Sequence, residues 1–377
     1  MCIRDRNVPA GRVQPLWIGV QIPLDASGIY EGELVVSASN KPSTSIHVNI
    51  GVYGPPIPNG GTNEGWRMAR LKWLDSRIAQ DDGIVEPYVP LKKDDLTIRF
   101  LGRSMTIMEN GLPGAFQSFF SNSVTKIGPD ARDILSAPFR FIVDLHDGEA
   151  RWKTGNIEFT HISEGTLNWE VESKSRGLVL SCKGKIEFDG FVVYELTLKA
   201  LKNLDVRDIR LEIPIENKVA SYMMGLGRRG GACPSEYEWK WDKRNAQDAV
   251  WIGDVNAGIR CKFKGENYKR SLTNIYYEYG PLNIPLSWGN QDKGGISLKD
   301  KGQGTMLLSA FCGDRSMKVG EELHFDFELL VTPVKTINLE KQFSTRFIHT
   351  GSVEEMMERA VRDGANVINI HHSRALN

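Results

Sequence analysis

The chain has 377 residues, 41% of them hydrophobic and 25% charged, enough apolar material for two or three ordinary cores and far from the composition of a disordered or membrane-spanning chain. Its 47 basic and 47 acidic residues cancel, so no global field draws it to nucleic acid or to anionic lipid. The five cysteines (Cys2, Cys182, Cys233, Cys261, Cys312) are odd in number, far apart and without a CxxC pair, which argues against a disulfide framework or a zinc site and for buried thiols.

Met1 to Arg6 (MCIRDR) resembles the translated adaptor that heads chains read from assembled environmental DNA, so residues 1–8 are set aside as a non-native lead-in. From Gln14 to Tyr53, short alternating runs at Leu16 to Ile22, Gly32 to Ser39 and Ser45 to Val52 are separated by the turn formers Pro23, Asp25, Gly28, Asn40 and Pro42. They predict three antiparallel strands. Three strands do not close a sandwich, so residues 9–53 are expected to be the C-terminal part of an immunoglobulin-like domain. Residues 54–65 (GPPIPNGGTNEG) carry few backbone donors and read as a linker.

Residues 66–335 read as all-β, apart from a possible helix over Trp66 to Ala79. Period-two or β-branched runs occur at Ile157 to Ile162, Leu167 to Glu172, Leu178 to Cys182, Phe191 to Leu198, Ile209 to Ile215, Thr305 to Phe311 and Leu323 to Val331, and Asp189-Gly190 is a type I′ hairpin signal. Some fifteen short strands over roughly 270 residues predict a large two-sheet supersandwich. Residues 336–377 then change character. Ser352 with Glu355 spells a capping box, Val353, Met356, Met357, Ala360 and Val361 share one helix face, Gly364 stands at a left-handed C-cap, and Val367, Ile368 and Ile370 read as a buried parallel strand. This predicts the opening of an α/β unit, the first elements of a truncated (β/α)₈ barrel. The fold class expected is therefore mainly β with a C-terminal α/β fragment.

Gly225-Leu226-Gly227-Arg228-Arg229-Gly230 has the spelling of a dinucleotide loop, but Gly231 and Pro234 forbid a helix start behind it, so a flexible or tightly turned loop is predicted and no cofactor is expected. Trp239 and Trp241 are two apart and share one side of a strand, with Trp251 and Trp288 in adjoining segments. An exposed indole pair would stack on sugar rings, whereas the alternative is core packing. Asp254 and Asn256 in WIGDVNAG read as turn residues. His371 and His372 stand where a barrel strand would end at its mouth, although no third ligand accompanies them and no metal site is predicted. His146, His161, His324 and His349 are isolated and read as structural.

The segments LEIPIENKVASYMMGLGRRGG, WKWD and WIGDVNAGIRCKFKG (within 211–265), together with PLNIPLSWGN, KGGI, NGLPGAFQSFF and DGANVINIHH, resemble bacterial glycoside hydrolase-like proteins related to glycoside hydrolase family 123. The resemblance implies β-sandwich domains ahead of a catalytic (β/α)₈ barrel that cleaves glycosides of N-acetylated hexosamines, working with an Asp-Glu pair deep in that barrel. No position here matches that pair, so catalytic residues are expected beyond Asn377. It also implies carbohydrate as partner and a periplasmic or extracellular home, and the residues read above, His371, His372, Trp239 and Trp241, are the candidate substrate contacts. Two rivals stand beside this non-catalytic reading. One is a mutarotase-like sugar epimerase using His146 or His161 with Glu170 or Glu187; the other is a carbohydrate-binding or spacer module.

Overall fold

In a computed structural model the described residues are 13, 18–38, 41–58, 82–242, 248–265, 284–350 and 354–370. The chain divides into two compact units, Met1–Ile78 and Ala79–Asn377.

Within the first unit the described strands are Gly28–Ala38 and Lys41–Val52, paired antiparallel from Gly28↔Val52 to Ala38↔Lys41. Residues 18–22 form no strand, so the first of the three predicted strands is absent over its described part and an immunoglobulin-like remnant is not established. A two-stranded ribbon cannot bury either face by itself, and Ile29, Tyr30, Val35 and Ile46 are accordingly exposed.

Between Lys92 and Thr332 the described residues of the second unit form three sheets rather than the two expected. A ten-stranded sheet runs in the order Lys153–Thr154, Thr166–Ser175, Leu178–Glu187, Phe191–Ala200, Phe327–Thr332, Ala257–Phe263, Ala249–Asp254, Tyr222–Gly225. Glu158–Ile162 lies beside Thr166–Ser175, and Glu322–His324 beside Phe191–Ala200. A seven-stranded sheet is ordered Glu236–Lys240, Gly295–Asp300, Thr305–Phe311, Leu204–Glu216, Arg140–Leu145, Gly148–Glu149, with Arg315–Met317 added to Leu204–Glu216. The third sheet is a five-stranded meander from Lys92–Asp94 to Ile127–Asp133. Its strands Arg103–Ile107 and Pro113–Phe120 turn Met105, Ile107 and Phe116 inward against the same hydrophobic cluster that the two larger sheets share.

Alternation explains the layering. In Leu178–Glu187 every second residue (Leu178, Leu180, Cys182, Ile186) is buried, and Val192, Tyr194, Leu196 and Leu198 do the same across the register on Phe191–Ala200. The Asp189-Gly190 hairpin is present, but only Gly190 has a positive φ, 83°. A type I′ turn needs positive φ at both central residues, so this loop is of another type, held by Asp189 Oδ1 accepting from the Phe191 N–H at 2.9 Å.

The family-like segments turn out to be packing devices. In NGLPG, Asn110 Oδ1 accepts the Leu112 N–H at 3.1 Å, and Gly111 is pressed so close to the core that a Cβ there would stand 2.8 Å from Val171 and 2.9 Å from the Cys182 sulfur. Its carbonyl accepts from the Trp169 indole at 2.9 Å and the Tyr194 hydroxyl at 3.0 Å. Trp288, fully buried on the short helix Leu286–Gly289, packs edge-on against Phe325 and Phe263. Cys182, Cys261 and Cys312 are buried thiols and Cys233 is half-buried; Cys2 lies outside the described residues. Desolvation pushes Cys182 and Cys261 well up and Cys312 to about 11, so these three stay protonated at neutral pH.

At the C-terminal end, strand Phe347–Thr350 pairs parallel with Val367–Ile370, and helix Glu354–Arg362 joins them. Gly364 follows the helix at φ +88°, as predicted for its C-cap. This is a β-α-β unit; a (β/α)₈ barrel is not established by it. Ser352 and Val353 lie outside the described residues, as does the possible helix over Trp66 to Ala79.

Candidate functional site

On the ten-stranded sheet, the positions that alternate away from the core carry the chemistry. Ser181 and Lys183 face outward on Leu178–Glu187, Glu195 and Thr197 on Phe191–Ala200, and the register places Ser181 opposite Thr197 and Lys183 opposite Glu195. Thr197 is also opposite His324 of the short strand Glu322–His324. Three strands thereby lay Ser181, Thr197 and His324 in one row, with the Lys183 and Glu195 pair in the next.

These side chains line a cleft of about 350 Å³ together with Asp326 and Gly265. His324 Nδ1 lies 3.3 Å from Thr197 Oγ1, and the His324 N–H donates to Ser287 Oγ at 3.0 Å, which fixes ring and backbone together. Asp326 sits where the strand breaks off, its carboxylate accepting the Leu196 N–H at 3.2 Å while its carbonyl accepts from the Trp288 indole at 3.3 Å. The cleft therefore offers hydroxyls, an ammonium, carboxylates and an imidazole at close quarters. Such a mixture of donors and acceptors suits a ligand rich in hydroxyl groups.

A second outward hollow, on the seven-stranded sheet, holds ion pairs of its own, Arg210 with Glu212 at 3.0 Å and Lys299 with Glu236 at 3.5 Å.

The sequence-predicted residues fall as follows. Trp239 and Trp241 do share one side of their strand, but that side is the core: they are 7% and 8% exposed, edge to face at 4.9 Å, so the exposed indole pair gives way to the core-packing alternative. Sandwich interiors take up tryptophan readily, and a period of two says nothing about which face is covered. His371 and His372 lie outside the described residues. His161 lies 3.4 Å from Asp82, Glu170 is 3.9 Å from Lys183 and Glu187 is 2.7 Å from Lys185, and among the described residues no hydrogen bond or ion pair joins His146 or His161 to Glu170 or Glu187. The Gly225–Gly230 segment is a tight turn, with Gly225, Leu226 and Gly227 all at positive φ and the Leu226 carbonyl accepting from Tyr237. Glu195, Thr197 and His324, which the structure does bring together, carried no motif. Strand alternation could have marked Glu195 and Thr197 as outward, but not their partner 127 residues further on.

Asp254 and Asn256 flank the turn between Ala249–Asp254 and Ala257–Phe263, as read from WIGDVNAG. Arg132 donates to Asp254 Oδ2 at 2.8 Å and also to Asn256 Oδ1, while the buried Asn256 amide donates to the Phe120 carbonyl at 2.9 Å. The turn thus bolts the ten-stranded sheet to the meander. The Arg132 hydrogen bond holds the Asp254 carboxyl below its ordinary value. A depressed carboxylate stabilises the fold above its unfolded pKa and loses that contribution as pH falls through the folded value. Asp254→Asn is accordingly expected to cost about 1 kcal/mol at pH 7 and less at pH 2, read from urea midpoints at both pH values. An equal loss at both would remove the electrostatic account.

The model of glycoside hydrolase 123, third domain, matches residues 91–333, which is the three-sheet body from Leu91 to Pro333. The chain belongs to this family. Outside the glycoside hydrolase 123 match, a CCA-adding enzyme of Listeria monocytogenes serotype 4b (strain CLIP80459) is 26% identical over 106 residues, and the chain spans only 26% of that relative. Among solved structures, a galactose mutarotase related enzyme from Lactobacillus acidophilus aligns over 66% of this chain and 99% of its own at 6% identity and TM-score 0.38. A putative aldose 1-epimerase from Escherichia coli K12 aligns over 64% and 98% at 8% identity and TM-score 0.34. At such scores neither fold nor chemistry transfers from them.

Proposed function

We propose that this chain is the non-catalytic β-sandwich portion of a glycan-acting hydrolase, and that the cleft around Thr197 and His324 holds or flanks a sugar chain without cutting it. The observation that carries this is the cleft's lining: Ser181, Lys183, Glu195, Thr197 and His324 converge on one sheet face in a body that belongs to the glycoside hydrolase 123 family. Glycosidic cleavage ordinarily needs two carboxyl groups flanking the scissile bond. Here Asp326 is engaged with the Leu196 N–H and Glu195 stands opposite Lys183, an arrangement for binding hydroxyls. The C-terminal β-α-β unit adds support, because Phe347, Met356, Val361 and Val367 remain exposed on it, as expected of an α/β unit that further layers complete. On the family resemblance the full-length protein works in the periplasm or outside the cell.

Two measurements test this reading. The 377-residue chain should not turn over aryl N-acetylhexosaminides, whereas the same chain extended through a barrel should; robust hydrolysis by the short form overturns the non-catalytic assignment. Calorimetric titration with hexosamine oligosaccharides should show binding that Thr197→Val weakens about tenfold, the size of one lost ligand hydrogen bond, with the melting temperature unchanged.

A second reading is favoured by one observation: His324 shares the cleft with Glu195, so an acid and a base face a common space, as sugar epimerisation requires. Polarimetry decides it. Catalysed anomer interconversion that His324→Gln abolishes would establish that activity in place of simple binding.

A further inference from the structure

Trp251 alternates with the buried Val250 and Ile252 and so stands on the outward side of its strand. It alternates to the same side of the ten-stranded sheet as Glu195, through the register Trp251↔Arg260, Arg260↔Leu330 and Glu328↔Val193. Its indole lies along the sheet over a paired gap in side chains. A Cβ at Gly253 would stand 2.6 Å from one edge carbon of the ring, and a Cβ at Gly258, the cross-strand partner of Gly253, 3.0 Å from its nitrogen. The indole N–H donates to Thr332 Oγ1 at 2.9 Å, which pins the ring at its far side. Tyr222 and Met224, on the neighbouring strand and on the same side of the sheet as Trp251, are exposed. Among the described residues the indole has no aromatic partner.

Arg260 is directly opposite Trp251 and is partly buried on the same face. Its cationic neighbours are matched: Lys262 with Asp248 at 3.7 Å, and Lys264 with Glu328. Arg260 has neither ion pair nor hydrogen bond to its side chain among the described residues. The planar fork of a guanidinium matches a carboxylate or a sulfate.

We propose that Trp251 and Arg260 form a subsite for an anionic pyranoside, the indole stacking on the apolar C–H face of the ring and the guanidinium binding its carboxylate or sulfate ester. The proposal rests on the reading that this sheet face contacts glycan, and it names the class of sugar unit taken there. Pinning by Thr332 and the glycine pair means the platform is formed before the ligand arrives, which lowers the ordering cost of binding.

The test follows the Trp251 indole N–H resonance, assigned by its disappearance in Trp251→Phe, while the intact chain is titrated with a glucuronate-terminated disaccharide, a sulfated galactoside and neutral lactose. Either anionic sugar should shift that resonance, the stronger of the two showing which anion the site prefers, and Arg260→Met should weaken the anionic ligands at least tenfold while leaving lactose unaffected. The remaining indole signals report that each variant is folded. A silent Trp251 resonance with all three sugars overturns the subsite, and shifts confined to the His324 ring would do so while leaving the cleft reading standing. Equal affinity for anionic sugars in wild type and Arg260→Met also overturns it.

Discussion

Trp169→Ala should lower the stability of the second unit by about 4 kcal/mol, in the upper part of the range for removing a large aromatic side chain from a core. Trp169 is 1% exposed and edge-on to Tyr194 at a centroid distance of 5.7 Å, and its indole occupies the space directly over Gly184, where any Cβ would collide with the ring. Truncation therefore opens a cavity against the strands Thr166–Ser175 and Leu178–Glu187. It also removes one of the two donors to the Gly111 carbonyl, leaving Tyr194 alone to satisfy it. Trp169→Phe keeps much of the volume and loses the hydrogen bond, so about 1.5 kcal/mol is expected. The reverse change, Gly184→Val, should be as damaging as Trp169→Ala because a close-packed interior does not yield to an added branched side chain. Urea denaturation followed by far-ultraviolet circular dichroism measures all three. A loss below about 1 kcal/mol for Trp169→Ala would show that the Gly111 loop is not anchored through this indole.

Arg103→Ala should cost about 3 kcal/mol, although no carboxylate among the described residues pairs with it. Arg103 is 1% exposed, and its guanidinium donates to three backbone carbonyls: Leu101 at 2.9 Å, Val331 at 2.7 Å and Val334 at 3.0 Å. It also lies over the Phe100 ring at 4.8 Å. Burial lowers its pKa to about 10, which still leaves it charged at neutral pH. The desolvation cost of a buried cation is offset by those charge-assisted bonds, and removing the side chain strands three carbonyls in an apolar setting. Because Val331 and Val334 lie at the end of the strand Phe327–Thr332, the residue ties the five-stranded meander to the ten-stranded sheet. Arg103→Lys retains charge but not the fork, and one ammonium cannot span three acceptors in that geometry, so about half the loss should remain. Full stability in Arg103→Ala would mean that the meander is held by apolar packing alone.

Several elements were legible because their information is local. Thr305–Phe311 is the strand that its alternation predicts, end for end, and Leu178–Glu187 and Phe191–Ala200 extend the runs read there. The helix Glu354–Arg362, its glycine stop and the parallel strand after it follow from spacing and chemistry within seventeen residues of chain. The run Leu323 to Val331 was read as one strand and is two, Glu322–His324 and Phe327–Thr332, because Asp326 turns its carboxylate to the Leu196 N–H and breaks the ladder. Nothing in the run itself announces that interruption.

The amino-acid order alone determined that this is a sheet-rich body with turns at Gly190 and Val255-Asn256, thiols kept from solvent, and an α/β element at its end; each depends on residues that are near neighbours in the chain. Only the tertiary arrangement decided which face of each strand was covered. It turned Trp239 and Trp241 inward, left Trp251 lying outward over Gly253 and Gly258, and set His324 beside Thr197. The physical reason is that a period of two fixes which residues share a face, whereas inside and outside are settled by what other parts of the chain fold against that face.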